Sequence, residues 1–332
     1  LAAHDLTDCA VATCNRLTIG SFLGGQAQAH GIVNVVDEKR LLARLVARCR
    51  SEGVVVVDRA SVSAVRWIEG ELDVHSGPSC FRTRLLIDCS GGSSAIAATF
   101  RLHELTGFFT IYAEHRNRLA FQADTLVTAQ ASVLGHPPVF FELMPTGPDS
   151  AFCIAFTATQ RAQRFEKLEA TLHEQLAGRQ FVTAAPESEI TRRARGIIPI
   201  GRVKRRLPGV ASFGEAAMLQ PPLLGTAFNE ALEYAHSFAE QVREALERRR
   251  TASFRPHYPL AKRFNDALQW WFAKRLIDAS VEDIDYLTRI SARLSPETLF
   301  ALYSNELSLS KCLTAVSAVV AGSLSEFRRV RL

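Results

Sequence analysis

Hydrophobic positions along this 332-residue chain follow two rhythms, one of strands and one of helices. Arg16 to Ile19 reads as a short strand that enters a loop of glycines, Gly20 to Gly25. Asp37 to Arg50 then sets apolar residues at 41, 42, 45 and 46 between charges, one stripe of an amphipathic helix. Gly53 ends that helix, and the apolar run Val54 to Val57 is expected to be a buried strand. Val62 to Trp67, Leu72 to His75 and Arg82 to Ile87 are three further short strands, separated by turn residues at Glu69-Gly70 and Gly77-Pro78. Between Gly107 and Thr159 the alternation predicts strands over Phe108 to Ala113, Thr125 to Ser132, Val139 to Leu143 and Ala151 to Thr157. Helical spacing returns in Arg161 to Gly178, where Phe165, Leu168, Leu172 and Leu176 share a face. It returns again after Pro259, in Phe264, Leu268, Trp271, Phe272 and Leu276. Ser295-Pro296 reads as a cap followed by proline at the first helical position.

One stretch breaks both rhythms in an informative way. Val210 to Phe213 is a short apolar strand, Gly214-Glu215-Ala216-Ala217 a turn of small residues around one acid, and Thr226 onward a long amphipathic helix. Small residues let a backbone approach a flat or phosphorylated ligand closely. A carboxylate after the strand can accept a hydrogen bond from a sugar hydroxyl, and a helix start offers unpaired N–H groups to an anion or an electron-rich ring edge. A second strand end, Leu85-Leu86-Ile87, runs into Asp88-Cys89-Ser90-Gly91-Gly92-Ser93-Ser94, where the acid supports a turn and Gly91 permits close approach.

These two runs resemble the middle and last FAD motifs of the flavoprotein family of aromatic hydroxylases, geranylgeranyl reductases and lycopene cyclases. The family pattern is an apolar strand, Gly-Asp-Ala-Ala, a proline, then Gly-x-Gly-x-Asn opening a helix. Here it stands as Gly214-Glu215-Ala216-Ala217, Pro221-Pro222 and Gly225-Thr226-Ala227-Phe228-Asn229, with Glu215 for the usual Asp and Ala227 for the second Gly. The resemblance implies FAD as cofactor, held by Asp88, Gly91, Gly214, Glu215, Ala216, Ala217, Pro222, Gly225, Thr226, Ala227 and Asn229. It implies an α/β chain with an α+β substrate domain. A Rossmann-like FAD/NAD(P)-binding domain would span residues 1–105 and 196–250, an antiparallel-sheet substrate domain 106–195 and a helical tail 251–332. The family's first motif, Gly-x-Gly-x-x-Gly, is missing from these residues, so the FAD domain reads as incomplete at its N-terminus.

Composition narrows the classes. Lys and Arg outnumber Asp and Glu 39 to 34, a mild excess whose clusters at Arg192 to Arg195, Lys204 to Arg206 and Arg248 to Arg250 accompany no nucleic-acid module. Seven cysteines lie scattered, without disulfide or metal spacing, which suits a reducing cytoplasm. The nine histidines show no ligand spacing either, and no metal is expected. No apolar run approaches the roughly 18 residues that span a bilayer. Trp270, Trp271, Phe272 and the stretch Lys311 to Leu324, with Arg328, Arg329 and Arg331 nearby, suggest instead a peripheral contact at the inner face of a membrane.

The tail Leu294-Ser295-Pro296-Glu297-Thr298-Leu299, followed by Tyr303, resembles a signature of bacterial lycopene cyclases, which points to a lipophilic isoprenoid substrate and carotenoid chemistry. Those cyclases carry a Phe-Leu-Glu-Glu-Thr segment whose carboxylates are assigned to protonating the polyene. The aligned residues here are Cys153-Ile154-Ala155-Phe156-Thr157, with no acid, and Glu142, one strand away, is the catalytic candidate. Phe140 and Phe141 beside it would raise its pKa by desolvation; the alternative is a rim carboxylate in water. Three functions stay open: a lycopene cyclase-like or isoprenoid-reducing enzyme, a flavin monooxygenase or halogenase served by NAD(P)H or another reductant, and a degenerate flavin fold that binds without catalysis.

Overall fold

Strand pairing, more than helix packing, organises this chain. The structure is a computed structural model that describes residues 5–317 apart from 22, 69–70, 93, 131–137, 179–182, 221–227, 278, 305, 309, 312 and 315. In chain order come β1 (Ala10–Gly20), β2 (Gln26–Val36), α1 (Glu38–Ser51), β3 (Ala64–Ile68), β4 (Glu71–Ser76), β5 (Ser79–Thr83), β6 (Leu86–Asp88) and α2 (Ala95–Phe100). The middle holds β7 (His103–Ala120), β8 (Thr125–Gln130), β9 (Phe140–Pro145), β10 (Ala151–Thr159), α3 (Phe165–Gly178) and β11 (Thr183–Val203). Then follow β12 (Val210–Ser212), α4 (Phe228–Glu247), α5 (Leu260–Leu276), α6 (Val281–Ser291) and α7 (Pro296–Tyr303).

Two compact units result. One comprises residues 1–7, 38–106 and 199–259, the other 8–37, 107–198 and 260–332. In the first, β6 and β12 run parallel, with Leu86 opposite Val210 and Asp88 opposite Ser212. Beside them β3, β4 and β5 form a small antiparallel sheet, and Leu72, Ile96, Ala97, Leu102 and Val210 make an apolar cluster. Val54 to Val57 is not the buried strand that its composition suggests. The run is irregular and Val55 is 85% exposed, so among the described residues no strand partner takes up its backbone groups.

In the second unit the large sheet has the order β11-β7-β10-β9-β8-β1-β2. Neighbouring strands β7, β10, β9 and β8 are antiparallel, β8 and β1 are parallel, and β1 and β2 form a hairpin. This hairpin is longer than the short strand read at Arg16 to Ile19 and adds β2, which the apolar pattern does not announce. One face of the sheet packs Val127, Phe141, Leu143, Cys153 and Ala155 beneath Leu168, Leu172 and Leu176 of α3, which starts at Phe165 rather than Arg161. Side chains alternate between faces along a strand, so Thr128, Phe140, Glu142, Met144, Phe152, Ile154 and Phe156 lie on the opposite face.

The helical tail docks on the hairpin end. Ser280 caps α6 in a reciprocal box with Asp283; Ser295 caps α7 with Pro296 in its first turn, as the sequence reading expects. Phe300 lies over Gly31 of β2, where a Cβ would stand 2.3 Å from its ring. The buried Asp285 carboxylate accepts from the Ser21 hydroxyl and from the Gly25 N–H at 3.2 Å, while Arg289 pairs with it at 3.0 Å. This network fastens the hairpin turn to α6. Asp285→Ala would leave the Ser21 hydroxyl and the Gly25 N–H under-satisfied, and should lower unfolding stability by about 1–3 kcal/mol. A lower urea midpoint at unchanged m-value is the expected reading; an unchanged midpoint would show that the turn holds without Asp285.

Candidate functional site

Both halves of the glycine-turn site lie in the first unit. The parallel strands β6 and β12 end side by side, and their C-terminal ends are where open α/β sheets hold ligands. Asp88 is 2% exposed and its carboxylate is fully engaged. It accepts from the Ser90 N–H at 3.0 Å and from the hydroxyls of Ser90 and Ser94. Ser94 in turn caps α2 by accepting from the Ala97 N–H at 3.0 Å. The Phe213 N–H donates to the Asp88 carbonyl at 2.9 Å, tying the second run to the first. Asp88 therefore builds the turn and offers no carboxylate to a ligand.

Gly91, at φ +83°, and Gly214, at φ +62°, occupy the left-handed region that glycine tolerates best. Among the described residues a Cβ at Gly214 would meet nothing within 4 Å, which leaves its backbone open on that side. At Gly92 a Cβ would stand 2.2 Å from Pro199 Cγ; this third glycine, needed for packing, is one that the motif reading passes over. Glu215 and Ala216 continue in a 3-10 turn, Gly214–Ala217. Ala216 is fully buried, and its carbonyl lies 2.8 Å from His103 Nε2. The Glu215 carboxylate reaches back over the turn, 3.7 Å from the position of a Gly91 Cβ. It makes no hydrogen bond or ion pair among the described residues. Gln220 donates to the Pro199 carbonyl at 3.0 Å, and its buried Oε1 has no partner among the described residues. The structure thus brings Asp88, Gly91, Gly214, Glu215, Ala216 and Ala217 together, whereas Asn229 is exposed near the start of α4. Pro222, Gly225, Thr226 and Ala227 lie outside the described residues.

In the second unit Glu142 stands in the middle of the sheet face that α3 leaves uncovered. Its Cα partners are Thr128 on β8 and Ile154 on β10. Around it lie Met144, Phe152, Ile154 and Phe156, all half-buried, and Phe140 stacks on Phe156 at 5.2 Å between ring centroids. Phe141 points the other way, into the core under α3, so it is Phe140 and not Phe141 that shares the acid's surroundings. Glu142 forms no hydrogen bond or ion pair among the described residues. Burial among apolar groups pushes its carboxyl up to about 7. Asp149, the other acid of this strand pair, is exposed in the turn. Of the two positions where carboxylates are expected, Ala155 is fully buried on the α3 side and Phe156 lies on the Glu142 face. Tyr303 from α7 also belongs here, 3.2 Å from the Thr128 hydroxyl. Its sole signal in the sequence is its place in the tail signature.

Glu114, Glu169 and His173 form another acidic cluster, close enough together to suggest a metal. The fully buried Glu114 is already saturated, accepting from Tyr112 at 2.8 Å, Arg116 Nε at 2.8 Å and His173 at 3.0 Å. Desolvation raises its pKa, but these donors outweigh it and hold the carboxyl below the usual range. Arg193 approaches Glu114 and Arg195 approaches Glu169 as well, so cationic side chains occupy the space a metal would need. No described helix is long and apolar enough to cross a membrane. Of the aromatics expected at a membrane surface, Trp271 is covered by the Arg275 guanidinium at 3.5 Å, and most of Lys311 to Leu324 lies outside the described residues, as do Arg328, Arg329 and Arg331.

No curated protein matches the sequence. Solved structures do match the fold. A geranylgeranyl bacteriochlorophyll reductase-like protein from Thermoplasma acidophilum superposes with a TM-score of 0.72 at 14% identity, over 93% of this chain and 80% of that one. The halogenase PltM in complex with phloroglucinol and FAD gives 0.59 at 10%, over 95% and 71%. The tetracycline destructase Tet(51) gives 0.53 at 14%, over 92% and 82%. Likeness at such identities shows a shared mixed α/β fold, that of FAD-dependent oxidoreductases, over most of the chain. The family model described as lycopene cyclase protein matches residues 18–327, and the chain belongs to the lycopene cyclase family.

Proposed function

We propose that this protein is an FAD-dependent enzyme that cyclises or isomerises an apolar isoprenoid polyene, with Glu142 as the general acid. The observation that carries this reading is an unpartnered carboxyl, raised to about 7 by burial, on a sheet face of aromatic and aliphatic side chains. A carboxyl with that pKa is about half protonated at neutral pH, the condition under which an acid is both available and strong enough. The apolar face suits a lipophilic substrate, and the faces of Phe140 and Phe156 favour a cation that forms beside them. Peripheral contact with a membrane, where such substrates dissolve, is part of the same reading.

The first unit's turn fits FAD on its own geometry. Gly91 lies under the Glu215 carboxylate, Gly214 leaves its backbone open, and among the described residues Glu215 presents a carboxylate without a partner to a polyol hydroxyl and Gln220 Oε1 is a buried acceptor without a donor. FAD, when bound, would supply redox or acid–base chemistry. A second reading, flavin redox chemistry on the same substrate class with NAD(P)H or another reductant, is favoured by Ala155 and Phe156 standing where acids are expected.

Three outcomes follow from these assignments. Glu142→Gln should reduce turnover by about a hundredfold to ten-thousandfold while flavin content stays unchanged; full activity in that variant would transfer the reading to flavin redox chemistry. The same variant should change the pH dependence of stability. Because the folded carboxyl titrates near 7 rather than 4.5, its ionisation costs nothing below pH 4.5, and the cost grows until pH passes 7. Glu142→Gln should therefore be more stable than the parent at pH 8, by at most about 3 kcal/mol, and equal to it at pH 4. Urea titrations that coincide at both pH values would refute the buried, raised carboxyl. Glu215→Ala should remove a charge-assisted hydrogen bond of about 1.5–3 kcal/mol and weaken FAD roughly tenfold to a hundredfold. Unchanged flavin absorbance per protein at limiting FAD would remove Glu215 from the cofactor site.

A further inference from the structure

The face that bears Glu142 carries two other polar groups at its side, and both arrive by independent routes. Across the sheet from β2 to β7 the row through Glu142 reads Ala27, Ile19, Thr128, Glu142, Ile154, Ala113. Directly opposed residues on adjacent strands have Cβ atoms about 4.5–5.5 Å apart on one face, so Thr128 is the cross-strand neighbour of Glu142 on β8, although no hydrogen bond joins the two among the described residues. Tyr303 reaches the same point from α7 and shares a hydrogen bond with Thr128 at 3.2 Å.

The helix that delivers this phenol is held at several places. Ser295 caps its start. The fully buried Gln269 of α5 donates to the Leu302 carbonyl at 2.8 Å, and Asn265 donates to the Leu307 carbonyl at 3.2 Å. Phe300, one turn before Tyr303, fits over Gly31 with no room for a Cβ between them.

We propose that Tyr303, acting through Thr128, is a positioning residue for Glu142: the two hydroxyls form a short donor chain that receives the negative charge left on the carboxyl when its proton departs. Tyr303 donates to Thr128, and Thr128 turns its own hydroxyl hydrogen to the carboxylate. Neither hydroxyl exchanges a proton with substrate, and Glu142 remains the group whose O–H bond breaks. Burial, and then the neighbouring Glu142, raise the Tyr303 pKa well above its ordinary value, so the phenol stays a neutral donor throughout the working range. Among the described residues, the other groups facing Glu142 are not ionisable. Leu126 and Thr128 come from β8, Phe140 and Met144 from β9, Phe152, Ile154 and Phe156 from β10. His115 of β7 lies further along, edge-on to Phe152 and hydrogen-bonded to Thr146 and Thr191.

The inference rests on Glu142 being the acid, and its test is chosen to separate the two ideas. In the flavin-loaded protein, an infrared pH titration follows the protonated carboxyl band that Glu142→Gln removes, which needs no turnover. Removing the donor chain destabilises the anion, so Tyr303→Phe and, separately, Thr128→Val should each raise the Glu142 pKa by about 0.5–1 unit, a threefold to tenfold change in its ionisation constant. The same variants should lower kcat several-fold with KM unchanged, and the double variant should be no worse than the poorer single one. An unmoved pKa in both variants would overturn the donor chain and leave Tyr303 as packing. Full activity in Glu142→Gln would instead overturn the acid assignment, whatever the titration shows.

Discussion

A carboxyl group among apolar side chains, with no partner to neutralise it among the described residues, is the constraint around which the second unit is read. Strand β9 lies between β8 and β10, so every second residue of Phe140–Pro145 faces away from α3, and the acid at 142 falls on that side. Pairing on both edges of β9 fixes the register, and a slip of one residue would send Glu142 into the core under α3 and turn Phe141 and Leu143 out of it. The rest of the second unit serves this placement. Helix α3 fills the opposite face, the hairpin extends the sheet, and the tail helices bring Tyr303 to Thr128.

Four acids show how environment assigns roles to one functional group. Glu114 is buried and charged because Tyr112, Arg116 and His173 donate to it. Asp88 is buried and engaged by Ser90 and Ser94, which shape the turn. Glu215 is half-buried and faces open backbone. Glu142 is half-buried, unpartnered and shifted to about 7. The first two hold structure together; on the proposed reading the last two meet something from outside the chain, a polyol in one case and an electron-rich double bond in the other.

Local chemistry was legible in the sequence where a few adjacent residues decide the outcome. Ser295-Pro296 starts α7 because a hydroxyl cap and a proline without an N–H both suit a helix start, and Gly214-Glu215-Ala216-Ala217 forms its turn because glycine alone tolerates φ +62° at no cost. Long-range pairing was not legible. The run Gln26 to Val36 has too few apolar residues to announce β2, which is specified by its partner β1. Val54 to Val57 has the composition of a strand and lacks the neighbour that would make it one. The Glu142 site was half legible: its apolar neighbours on β9 are adjacent in sequence, but Thr128 and Tyr303 come from 14 residues before and 161 after, through strand pairing and helix docking that no local pattern encodes.

Proton-driven ring closure and flavin redox chemistry leave different isotopic records, and that difference gives the most direct measurement. An acid that adds a proton to a terminal double bond, followed by loss of a different proton from the cyclic cation, gives an isomer of the substrate. The flavin-loaded protein would be incubated with an acyclic polyene in deuterated water and the product analysed by mass spectrometry. The account predicts one solvent deuteron for each ring formed, no net change in hydrogen or oxygen count, and loss of that product in Glu142→Gln. A product that has gained hydrogen, oxygen or halogen in step with consumption of reductant, undiminished by Glu142→Gln, would contradict it.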